Sequence, residues 1–168
     1  MKKVLSIVAV ALTVALVFTS CKKEKTMTEL LTIEKGWVMS AATTTPYWTL
    51  NDNSQITNLF EGYVYDCEKD DIIKFKEDGH EYLNPGADVC EGEASQESSI
   101  GVWKLYEEEK RLDMQIPFFY DTEVENVAIV ELTEEMLKVN YTWTLTEDPS
   151  KGVPGTYTFT ITYVPSKK

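Results

Sequence analysis

Beyond residue 36 the chain alternates apolar and polar side chains with a period of two. Leu112, Met114 and Ile116 fall on one side of their segment, and Arg111, Asp113 and Gln115 on the other. Leu137, Val139, Tyr141, Trp143 and Leu145 alternate with Lys138, Asn140, Thr142 and Thr144. Tyr157, Phe159, Ile161 and Tyr163 alternate with Thr156, Thr158, Thr160 and Thr162. Successive residues of a strand point to opposite faces, so each run predicts a strand with one buried and one wet face, as in antiparallel sheet. The residues themselves are β-branched or aromatic, which suits a pleated surface.

Turn chemistry divides the runs. Glu77-Asp78-Gly79 predicts a hairpin between Ile72–Lys76 and Glu81–Leu83. Residues Glu107 to Lys110 separate Gly101–Tyr106 from Arg111–Ile116, and Thr133-Glu134-Glu135 separates Val124–Leu132 from Met136–Leu145. With Trp37–Thr43 and Gly155–Val164 the count is about eight strands, nearly all joined by short connections. The prediction is an all-β fold, an antiparallel up-and-down barrel. Residues 44–66 carry the weakest pattern: a loop at Asn51 to Ser54, a helical turn over Gln55–Phe60, and a short strand or lid over Gly62–Tyr65.

The start of the chain follows another rule. Lys2 and Lys3 precede an uncharged run from Val4 to Phe18. That run is about 15 residues where a membrane-spanning helix needs roughly 20, so it reads as a signal peptide over residues 1–20. Phe18-Thr19-Ser20-Cys21 resembles a lipobox, which makes Cys21 the lipid-bearing first residue of the mature chain; an uncleaved anchor or an ordinary secretory signal are the alternatives. Lys22, where inner-membrane retention usually involves Asp, favours the outer membrane, on either face. Residues 21–27 form the lipidated cysteine and tether, and residues 28–165 the domain. Thr26-Met27-Thr28-Glu29 fits a capping box and predicts a short helix through Leu31, ended by Gly36.

Composition adds three constraints. Of the 168 residues, 148 remain after removal of 1–20, the size of one domain. Two of the 16 Lys and Arg lie in the signal, leaving 14 against 28 Asp and Glu, a net charge of −14. Such a charge argues against nucleic acid and anionic lipid headgroups as partners. Export places Cys67 and Cys90 in an oxidising compartment, where an even count predicts a disulfide between them, worth roughly 3.4 kcal/mol in the chain-entropy account. A structural zinc site needs four Cys or His ligands, and His80 is the chain's one histidine.

Further features occur in a fixed order: the lipobox, Gly36-Trp37, Cys67-Glu68-Lys69-Asp70-Asp71, Phe75-Lys76-Glu77-Asp78-Gly79, Cys90, Gly101-Val102-Trp103, and the Glu131-Leu132-Thr133 step before Leu137. This order resembles the lipocalin-like lipoproteins of Gram-negative bacteria, over residues 28–165. The resemblance implies a small lipocalin-like barrel on a lipid anchor. It assigns no specific function.

Candidate chemistry is sparse. His80, just after the Gly79 turn, reads as a solvated loop histidine, and no carboxylate pair points to a cleft, so no catalytic residue is expected. Asp66, Glu68, Asp70 and Asp71 offer oxygens to calcium but lack the spacing and central glycine of a calcium loop, and read as a solvated acidic loop. No metal or cofactor is expected. A barrel of eight strands is just wide enough for its own side chains or one small ligand. Trp103, Met114, Tyr141, Trp143, Tyr157 and Phe159 face inward on this reading, either as core or as the lining of an apolar pocket. Tyr47, Trp48, Phe118, Phe119 and Tyr120 fall in or beside predicted loops and are candidates either for surface recognition of an envelope protein or glycan or for plugs packed across the barrel ends. Gly101 is expected to allow close packing beside Trp103.

Overall fold

The computed structural model describes residues 24–50, 52–92, 95–116, 123–145 and 154–167. Cys21, Phe118, Phe119 and Tyr120 lie outside them. Two short helices, α1 (Met27–Leu31) and α2 (Leu59–Gly62), accompany ten strands: β1 (Trp37–Thr49), β2 (Gln55–Asn58), β3 (Ile72–Phe75), β4 (His80–Asn84), β5 (Ser98–Val102), β6 (Lys104–Tyr106), β7 (Arg111–Gln115), β8 (Glu123–Leu132), β9 (Leu137–Leu145) and β10 (Gly155–Pro165).

The strands form one antiparallel sheet in the order β5-β4-β3-β1-β10-β9-β8-β7-β6, with β2 on β1. β5 and β6 are consecutive pieces of one path, broken at Trp103; the upper piece pairs with β4 and the lower with β7. The two ends of the sheet therefore meet, and β5 also lies against β7. The result is a nearly closed up-and-down barrel. Taking β5 and β6 together and setting β2 aside, its wall has the eight positions that the alternation predicts.

Four local readings change. β1 does not stop at Thr43 but runs on to Thr49, because after its short pairing with β3 it gains β2 as a second neighbour. Gln55–Asn58 is that neighbour, a strand rather than a helical turn; the helix begins only at Leu59, capped by the Asn58 carboxamide accepting from Glu61 N–H. Gly62–Tyr65 holds no strand. Gly101–Tyr106 is not continuous, since the Trp103 backbone N–H leaves the ladder and donates to Gly79 O at 2.9 Å. The hairpin at Glu77-Asp78-Gly79 forms as expected, with Gly79 at φ +84° and Asp78 Oδ1 accepting from His80 N–H.

α1 closes one end of the barrel. Its capping box is complete: Thr26 Oγ1 accepts from Glu29 N–H at 3.1 Å, and Glu29 Oε2 accepts from Thr26 N–H at 2.7 Å. Leu31 is fully buried, and the buried Trp37 indole donates to Leu31 O at 2.8 Å, tying helix to barrel floor. Gly36 makes the turn between them at φ +71°, where a Cβ would come within 2.7 Å of Ile72, Ile73 and Lys74. Only glycine fits that position.

Inside, the residues placed inward by alternation make one core: Trp37, Ile73, Phe75, Leu112, Met114, Ile116, Leu137, Val139, Phe159, Ile161 and Tyr163, all buried. Burying each such side chain contributes about 1.5–3 kcal/mol. Cys67 and Cys90 are disulfide-bonded, with Cα atoms 5.2 Å apart, at the open base of the β3–β4 hairpin.

Candidate functional site

The antiparallel ladders decide which aromatic residues meet. Tyr157 pairs with Trp143 and Phe159 with Tyr141 across β10 and β9, so all four project to the same inner face. β1, on the other side of β10, adds Trp48 from its far end. The Trp48 ring centroid lies 4.9 Å from Tyr157, 5.8 Å from Phe159 and 6.1 Å from Trp143, and Tyr141 lies 6.2 Å from Phe159. These are offset-stacked and edge-on spacings, each worth about 0.5–1.5 kcal/mol beyond area burial. The cluster occupies the end of the barrel opposite α1. Within it Phe159 is 1% exposed and Tyr157 4%, whereas Tyr141 and Trp143 are half-buried. One end of the barrel thus carries a wall of aromatic faces, two of which keep part of their surface exposed.

Of the six residues expected to line a pocket, four belong to this cluster. Met114 does not: it is fully buried in the middle of the core. Trp103 sits near the opposite end, edge-on to Phe75 at 5.9 Å, with its indole N–H donating to Lys76 O at 2.9 Å. Its position at the strand break makes it a clamp on the β3–β4 turn. Gly101 beside it is not crowded, since a Cβ there would meet only the Gln115 side chain at 3.5 Å or more.

The pair Tyr47-Trp48 does not form one surface patch. Because β1 extends through both, adjacent residues face opposite sides; Tyr47 is 49% exposed while Trp48 is buried in the cluster. His80 is exposed, as a turn histidine should be.

The acidic segment is only partly solvated. Asp66 is exposed and paired with Lys69 at 2.8 Å, which holds its carboxyl below the usual range. Glu68 accepts from Tyr65 N–H. Asp70 is half-buried against Gly86 and accepts from Ala87 N–H at 2.6 Å, and Asp71 is buried. Among the described residues no group of three His, Cys, Asp or Glu side chains is placed to hold a metal ion.

One residue with no counterpart among the expected site residues stands out. Glu81 lies opposite Phe75 on the inner face and is completely buried. Its Oε2 accepts from Gln115 N–H at 2.7 Å, linking β4 to β7 across the seam where the sheet ends meet. Oε1 has no hydrogen-bond partner among the described residues. Burial pushes the carboxyl up to about 8, against a smaller downward pull from the Gln115 amide. Tyr163, fully buried on β10, is raised by its own burial and then by the nearby Glu81. The alternation Glu81, Leu83 and the register against Phe75 were the available signal.

Two shallow grooves lie on the outer surface. One, of about 350 Å³, is lined by Ile33, Lys74, Lys76 and Glu97 among others, and there both lysines are paired to Glu97 at 2.7 and 2.6 Å. The other, of about 390 Å³, borders His80, Ser99 and Gln115. Neither adjoins the aromatic cluster. No family model, curated protein or solved structure matches this chain.

Proposed function

We propose that this chain is an outer-membrane lipoprotein, anchored through Cys21, whose lipocalin-like barrel holds a small apolar ligand against its aromatic end without catalysing a reaction. The observation that carries the reading is the joined cluster of Trp48, Tyr141, Trp143, Tyr157 and Phe159, in which Tyr141 and Trp143 keep part of their surface exposed. Flat aromatic faces converging at a barrel end suit an apolar molecule, and few polar groups there would fix its orientation. A second reading has its own support: Met114 and Phe159 fill the middle of the barrel, and Tyr47 projects outward. On that reading the domain recognises an envelope protein or glycan through its surface.

Native mass spectrometry of residues 22–168, purified after periplasmic expression, separates the two. A lipid-sized adduct at one per chain, reduced in Trp143→Ala, supports the ligand reading. An apo mass that takes up nothing from a lipid extract overturns it and leaves surface recognition.

A further inference from the structure

The two ends of the barrel differ, and the chain enters at only one of them. We infer that the barrel stands with its α1 end toward the anchoring bilayer and its aromatic end away from it, so that its ligand arrives through the aqueous phase and not from the anchoring leaflet. This orientation rests on the reading of Cys21 as lipidated.

The entry point is fixed by contacts. Thr26 caps α1, whose Leu31 is buried beneath the barrel. Thr28 Oγ1 donates to Glu107 in the β6–β7 turn at 2.9 Å, and Lys25 Nζ lies 2.7 Å from Glu134 in the β8–β9 turn. That ion pair is solvent-exposed and contributes little by itself. Its value is positional, since it places residue 25 beside the turns of the closed end. Cys21 is three residue steps from Glu24, a reach of at most about 10 Å when fully extended. The acylated cysteine therefore cannot lie far from that end.

The aromatic cluster is at the other extreme of the same strands. β1 begins on the floor with Trp37 and reaches the cluster with Trp48. At about 3.3 Å per residue and a strand tilt near 40°, that separation is roughly 25–30 Å along the barrel axis. The cluster thus stands beyond the reach of acyl chains in the anchoring leaflet. Glu107, Glu108, Glu134 and Glu135 are all exposed at the α1 end, so the short tether holds that end at headgroup level, against their repulsion, without sinking it into the apolar layer.

The test uses the full chain, acylated in cells and reconstituted in nanodiscs of phosphatidylethanolamine and phosphatidylglycerol. A photoreactive phenylalanine derivative replaces either Glu135, at the α1 end, or Tyr47, beside the cluster; both side chains are exposed, so neither change disturbs the core. The expected result is lipid adduct from position 135 in clear excess over position 47. Equal yields, including none at either position, or an excess at 47, overturn the orientation. The mass of the N-terminal peptide from the same sample keeps the two readings apart. An unacylated Cys21 refutes the anchor, whereas an acylated chain with adduct at 47 refutes the orientation alone.

Discussion

Replacing Glu81 by glutamine should change how stability depends on pH more than it changes stability itself. In the folded chain the carboxyl ionises only near pH 8, against an ordinary value of 4.5, chiefly because burial penalises its charge. Below the ordinary value both states are protonated and the group is neutral to stability. Between 4.5 and 8 the unfolded chain releases this proton and the folded chain does not, so stability falls as pH rises. Above 8 the loss is complete. At 1.36 kcal/mol per unit, a shift of this size corresponds to about 3–5 kcal/mol in total, a large part of a typical domain's stability.

Glutamine keeps an oxygen for the Gln115 N–H, the 2.7 Å bond that joins β4 to β7, and carries no titrating proton. Urea denaturation of wild type and Glu81→Gln at pH 5, 7 and 9 isolates the term, because every other titrating group cancels in the difference. At pH 5 the two should be close, with the variant weaker by about 1 kcal/mol if its added amide donors find no partner. By pH 9 the variant should be the more stable by a few kcal/mol, so the curves cross. A difference that stays flat across the range would refute the reasoning. It would mean that Glu81 is already ionised at pH 5 in the fold, held by a cation or solvent that its burial excludes.

Other perturbations test the frame. Replacing Cys67 and Cys90 together by serine should cost about 3 kcal/mol, read as a lower urea midpoint that reductant no longer shifts. Gly36→Ala forces a Cβ within 2.7 Å of Ile72, Ile73 and Lys74 at positive φ, so it should lose about 2 kcal/mol or more by thermal melting, whereas Gly101→Ala, with ordinary contacts, should lose less than about 1. Trp48→Ala removes the ring that joins Trp143, Tyr157 and Phe159, and should cost about 3–5 kcal/mol together with a change in the near-ultraviolet circular dichroism of the cluster.

The barrel was legible because its strands obey one rule without interruption. In β9 and β10, nine consecutive register pairs from Gly155–Leu145 to Tyr163–Leu137 keep every aromatic on one face, and the same alternation is written in the order of the residues themselves. What was not legible depends on partners distant in sequence. Nothing near residue 55 announces a strand; Gln55–Asn58 is one because the far half of β1 has an open edge for it. Trp48 reads as a loop residue until β1 is seen to continue, and then the same alternation that exposes Tyr47 buries it.

Glu81 shows where that rule competes with chemistry. Read by type, a glutamate beside a turn belongs in water; read by phase, it belongs opposite Phe75 on the inner face. The phase prevails because Glu81 shares the inner face with Ile73 and Phe75 in a register fixed over four pairs, and turning that hairpin over would expose both in order to solvate one carboxyl. Exposing those two apolar side chains costs about 3–6 kcal/mol. Keeping the carboxyl inside and protonated, with one of its oxygens bonded to Gln115, costs about 3 kcal/mol at pH 7, the low end of that range. The fold therefore accepts a buried acid and holds it neutral below about pH 8, so Glu81 couples the barrel interior to the pH around it.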